Sequence, residues 1–116
     1  MKTTVFLLTA FVALEHLYFM ALEMVLWKSQ GLKVFKITRK FAKEAASLAS
    51  NQGLYNGFLA AALLLGLFLP DPALAHAFRL YGLICAAVAG LWGGITVHPK
   101  IFLVQSVPAV IALALT

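Results

Sequence analysis

Charge is scarce in this chain, and acidic charge most of all. Of 116 residues, 11% are charged, and the acids are only Glu15, Glu23, Glu44 and Asp71. A soluble domain carries about 25% charged residues. With 63% hydrophobic residues and a mean hydropathy of +0.96, the balance excludes an ordinary water-soluble globule and points to a membrane. Cys85 is the single cysteine, so no intrachain disulfide can form, and in its apolar stretch it reads as a small core residue. No CxxC or HxxxH spacing is present, which leaves no metal site. No phosphate-binding glycine loop occurs, and no serine or cysteine stands beside a base. Nucleotide binding and nucleophilic catalysis are therefore not expected, nor is any cofactor.

What is present is organised by four apolar runs, roughly 3–27, 50–69, 77–97 and 101–115. The first would be about 37 Å of helix, enough to cross a bilayer with some tilt. It follows Lys2 as a signal sequence would, but has no small-x-small cleavage site and runs on too far, so it reads as a retained helix. The turns are Leu69-Pro70-Asp71-Pro72 and His98-Pro99-Lys100. Pro108, in the last run, frees the carbonyl of Val104 and predicts a kink, with Ser106 or a neighbouring helix making good the loss.

Basic charge is local. Lys28, Lys33, Lys36, Arg39, Lys40 and Lys43 crowd one connection, a pattern suited to a cytoplasmic membrane face and anionic lipid rather than to nucleic acid. Thr38 is a candidate N-cap, and Phe41, Ala45, Leu48, Gln52 and Tyr55 follow at helical spacing. The second helix is thus expected over 38–69, its cytoplasmic extension running unbroken into the membrane. The expected fold is an all-α membrane protein, a single domain over 1–116. It is a four-transmembrane-helix bundle of the bacterial inner (plasma) membrane, multi-pass, with both termini extracytoplasmic. Gly53 and Gly57 form a GxxxG, and Gly82, Ala86, Gly90 and Gly94 a small-residue ridge. Such ridges bring helix backbones together in lipid and predict a homo-oligomer, a dimer favoured.

The polar residues inside the runs carry the functional expectation. Glu15 and His16 lie mid-run, where an ionisable side chain costs roughly 3 kcal/mol on insertion scales. Glu15, His16, Phe19 and Glu23 fall within an arc of about 100° on a helix wheel. Asn51, Gln52, Tyr55 and Asn56 form a second polar patch. Counted from the cytoplasmic boundary, Glu23, Asn56 and Gln105 lie roughly 6–10 Å deep and Glu15 and His16 about 16–18 Å. His98 is at the rim. This predicts a polar cup open to the cytoplasm, with Glu15 and His16 as floor and candidate acid–base pair. Glu23, Tyr18, Asn51, Gln52, Tyr55, Asn56, His98 and Gln105 are candidate ligand contacts.

Three stretches are distinctive: Leu14-Glu15-His16-Leu17-Tyr18-Phe19-Met20, Leu22-Glu23-Met24 and Asn51-Gln52-Gly53-Leu54-Tyr55-Asn56-Gly57. With the Trp27–Phe41 connection, Gly93-Gly94-Ile95-Thr96-Val97 and Val104-Gln105-Ser106-Val107-Pro108, they closely resemble a bacterial domain-of-unknown-function family of small four-helix integral membrane proteins. The resemblance covers nearly the whole chain. It implies four membrane helices and brings no activity, substrate or catalytic residue. A looser likeness, by site chemistry alone, is to sterol-isomerase-like membrane enzymes. The residues predict a protein that binds, and possibly transports, a small or lipophilic ligand in the cup. The alternatives are a membrane-embedded acid–base enzyme, isomerase- or hydratase-like, and a structural accessory subunit whose polar residues lock the bundle.

Overall fold

Apolar runs broken by proline turns dictate helices, and the computed structural model, which describes residues 1–116, contains no strand. The elements are α1 (Thr3–Met24), α2 (Gln30–Val34), α3 (Arg39–Glu44), α4 (Ala46–Phe68), α5 (Pro72–Thr96), α6 (Pro99–Ile101), a π-helical turn (Phe102–Ser106) and α7 (Val107–Leu115).

The boundaries follow local chemistry. Asp71 caps α5, its Oδ1 accepting from the backbone N–H of Ala73 (2.9 Å) and Leu74 (3.2 Å). Pro72 occupies the first turn, where its missing N–H has no partner to lose. That cap starts α5 earlier than the expected residue 77. Thr38 caps α3 as anticipated, Oγ1 accepting from Phe41 N–H at 3.1 Å. The anticipated unbroken helix from 38 is interrupted at Ala45 (φ −95°, ψ 5°). Pro108 has no N–H to offer Val104, and the chain widens into the π turn just before it, Val107 N–H reaching back to Phe102 O. The Ser106 hydroxyl donates instead to the carbonyl of Ala87 on α5 at 2.7 Å.

The chain forms two compact units, Met1–Glu15 with Leu59–Thr116, and His16–Phe58. In the first, Val12 and Ala13 of α1, Leu63 of α4, Leu83 and Ala86 of α5, and Ala109 and Ala112 of α7 make a core of mostly small side chains. Backbones approach closely at two points there. A Cβ on Gly66 would lie 2.7 Å from the backbone N and Cα of Arg79, and one on Gly90 would lie 2.7 Å from Ser106 N. The Gly82–Gly94 ridge is thus filled from within the unit, by Leu63, Ser106 and Phe102. The large side chains go outward: Leu7, Phe11, Phe68, Tyr81, Val88, Trp92, Ile95 and Leu103 are all more than half exposed.

The second unit holds the end of α1, the short helices α2 and α3, and the start of α4. The Trp27 indole N–H donates to the carbonyl of Ala42 at 2.8 Å, tying the segment after α1 to α3. Lys36 closes α2 in the left-handed region (φ 54°), with Ile37 N–H bonded to Leu32 O at 3.1 Å. This is the reversal a Schellman-type helix end requires. Gly53 and Gly57 seat Met24 and Met20, side chains of the same unit.

Candidate functional site

Polar side chains on a buried helix face need partners, and the second unit supplies one to Glu23. Asn56 Nδ2 donates to Glu23 Oε1 at 2.6 Å. The bond joins α1 to α4, and Gly53 makes it possible, because a Cβ there would lie 3.0 Å from Glu23 Cβ. One carboxylate oxygen is thereby held and the other has no protein partner.

Glu23 opens onto a cleft of about 630 Å³, which Asn51, Ser47, Ser50 and Lys28 also line. Met24, Trp27 and Leu54 supply apolar wall. Ser47, Ser50, Asn51 and Leu54 stand at i, i+3, i+4 and i+7, which places them on one face of α4. Lys28 and Glu23 share this cleft, and the Glu23 carboxylate has Asn56, not Lys28, as its partner. Since the Trp27 N–H is committed to Ala42, the ring presents only its carbon surface.

The other expected contacts of this unit divide. Asn51 lines the cleft with Glu23. Tyr18 and Tyr55 are about half exposed, packed edge or tilted against Phe19 and Phe58, and Gln52 is exposed. His16 is fully buried, its ring edge-on to Phe19 with centroids 5.5 Å apart.

In the first unit, Glu15 has both carboxyl oxygens buried with no hydrogen-bond partner in the protein. Such a group is costly unless something donates to it. His98 is exposed and works as a cap, Nδ1 accepting from Lys100 N–H at 3.1 Å. Gln105 is half-buried within the π turn. No group of three or more His, Cys, Asp and Glu side chains gathers in a way that could hold a metal ion.

Two features escape a reading by residue type. One is the contribution of Trp27, Lys28, Ser47 and Ser50 to the cleft; the helical spacing of the serines with Asn51 was the available signal. The other is Arg79, which counts in the sequence as a loop-proximal cation. It is 92% buried, with Nη1 donating to Gly66 O at 2.6 Å and Nη2 to His76 Nδ1 at 3.3 Å. Arg79 falls on the buried face of α5 with Ala75, Gly82 and Ala86, so helical periodicity marks it.

By length and composition α1 and α5 are each able to cross a membrane, and Pro99–Leu115 is a shorter apolar stretch. No solved structure matches the chain. The "Uncharacterized protein YpaA" of Lactococcus lactis subsp. lactis (strain IL1403) is 33% identical over 110 residues, covering 92% of this chain and 91% of its own. The family described as "Protein of unknown function (DUF1304)" matches residues 10–116, and the chain belongs to that family.

Proposed function

We propose that the chain is a multi-pass protein of the bacterial inner membrane that binds a small or lipophilic ligand in a cleft facing the cytoplasm. The carrying observation is Glu23, which lines the cleft, its carboxylate held by Asn56 on one oxygen and without a protein partner on the other. The membrane setting is supported by the exposure of large apolar side chains around a core of small ones. Water would select the reverse, and lipid does not. In this reading α1, α4, α5 and the stretch from Pro99 to Leu115 are the four spans, both termini lie outside, and the basic segment that borders the cleft lies in the cytoplasm. A homo-oligomer would use the exposed apolar side chains, since both glycine ridges already seat side chains of their own units.

Native mass spectrometry of the protein extracted from its own membrane tests the binding. A co-purified small molecule is expected with the natural sequence and is expected to be lost in Glu23→Gln. Equal retention by both proteins would remove Glu23 from the site. A Lys36→Cys variant in a Cys85→Ala background tests the orientation, because labelling from the periplasmic side would reverse the topology.

A second reading is favoured by the partnerless Glu15 carboxyl. Here Glu15 and His16 serve as proton donor and acceptor in a membrane-embedded acid–base enzyme, and a desolvated carboxyl suits that task. Glu15→Gln would then keep its thermal midpoint and lose turnover of a lipophilic substrate. A large fall in the midpoint would assign the pair to structure.

A further inference from the structure

The cleft of the second unit is dipolar, and its geometry points to a ligand carrying a primary ammonium group a short way from an anionic oxyacid, as in an ethanolamine phosphate. This inference rests on the ligand-binding reading and names the ligand class. Glu23 and Lys28 line the same cleft, and Lys28 is not the partner of the Glu23 carboxylate. A purely anionic ligand would be repelled by Glu23, and a purely cationic one by Lys28. A neutral ligand would leave both charges without a counterpart. A zwitterion meets both.

The details select its ends. Asn56 holds Glu23 Oε1 at 2.6 Å, so the orientation of Oε2 is set before a ligand arrives and little ordering remains to be done on binding. Oε2 accepts an N–H, which a primary ammonium offers and a trimethylammonium does not. Lys28, Ser47 and Ser50 also line the cleft, and their ammonium and hydroxyl groups are donors suited to the phosphate or carboxylate oxygens of the anionic end. Trp27 has no N–H to spare, and its ring offers a π surface that favours a nearby cation.

Two sources share this chemistry: the headgroup of a phosphatidylethanolamine lipid, and a free zwitterion of the same kind. The experiment reads Trp27 emission in a Trp92→Phe background, with the full chain in phosphatidylcholine nanodiscs. Phosphatidylethanolamine or phosphatidylglycerol is doped into the discs, and free phosphoethanolamine is added to undoped discs in a third arm. A saturating change with either ethanolamine probe and none with phosphatidylglycerol is expected. Response to the lipid alone assigns a headgroup, and equal response to the free compound assigns a soluble ligand. Glu23→Gln is expected to weaken the response about tenfold, the scale of one charge-assisted hydrogen bond. Lys28→Gln, on an exposed side chain, is expected to weaken it as well and is a second check should the first variant misfold. A response to phosphatidylglycerol that Glu23→Gln leaves intact overturns the zwitterion. So does silence to all probes in a protein that still co-purifies a Glu23-dependent molecule, and in that case the binding reading survives. Silence together with nothing co-purified overturns both.

Discussion

The two units of the chain differ in where their polar side chains lie. In Met1–Glu15 with Leu59–Thr116, polar groups lie inside the packing, some bonded and some, the Glu15 carboxyl oxygens, Thr9 Oγ1 and Arg79 Nε, buried without a partner. Arg79 is spent on a backbone carbonyl and a histidine, and Ser106 on the carbonyl of Ala87. Around them, glycine and alanine bring backbones to contact. In His16–Phe58, several polar side chains are accessible instead. Glu23 has one oxygen engaged, and Lys28, Ser47, Ser50 and Asn51 line an open cleft. Single glycines differ in what they meet, Gly66 the backbone of Arg79 and Gly57 the end of the Met20 side chain. A position closed by backbone cannot adjust, and one padded with methionine can. Polar groups packed inside one unit and polar groups reaching an open cleft in the other separate the candidate site from the rest of the fold.

That contrast can be broken by mutation, and the largest effect is expected at Gly66. Gly66→Ala places a methyl 2.7 Å from the Arg79 backbone, which must move. A destabilisation of about 3 kcal/mol is expected, read as a drop in thermal midpoint in detergent. Gly57→Ala meets only Met20 Sδ and Cγ, which swing aside, so its loss should stay below about 1 kcal/mol. Equal losses at the two glycines would erase the distinction drawn here. Next in size is Asn56→Leu, which strips Glu23 of its amide partner and should remove about 2 kcal/mol of stability. If the same variant also abolishes ligand retention, the amide serves site and fold together. Ser106→Ala should cost about 1 kcal/mol, one hydrogen bond to a carbonyl. The smallest effect is at Lys36, held at φ 54°. Lys36→Gly relieves a left-handed residue but frees the unfolded chain, so a net gain of about 0.5 kcal/mol is expected from chemical denaturation.

Much of this was legible without coordinates. The apolar runs announced helices, Thr38 its cap and Pro108 a disturbance in the last helix. The form of that disturbance was not legible. A missing N–H can be answered by a kink, a water or a wider turn, and contact with α5 at Gly90 and Ala87 accompanies the last of these. Asp71 was read as part of a helix stop, yet it also starts α5, because a short carboxylate next to Pro72 reaches two free N–H groups at once. In the candidate site, residue type picked out Glu23, Asn51 and Asn56. It passed over Ser47 and Ser50, whose small hydroxyls carry little signal alone and gain it from sharing a helix face. Tyr18, Gln52 and Tyr55, chosen for polarity, do not line the cleft that Glu23 and Asn51 share, since polarity does not say which way a helix is rotated.

What the sequence determined by itself is class and composition: helices throughout, two of them long and apolar enough to cross a membrane, and a few polar groups where hydrocarbon was expected. These follow from hydropathy and from local backbone chemistry, which act within a turn or two of chain. Tertiary structure alone decided which polar atoms find each other. The bond from Asn56 to Glu23 spans 33 residues and that from Ser106 to Ala87 spans 19. Pairings over such separations depend on how closely two helices approach, and that distance is set by the glycines and methionines packed between them.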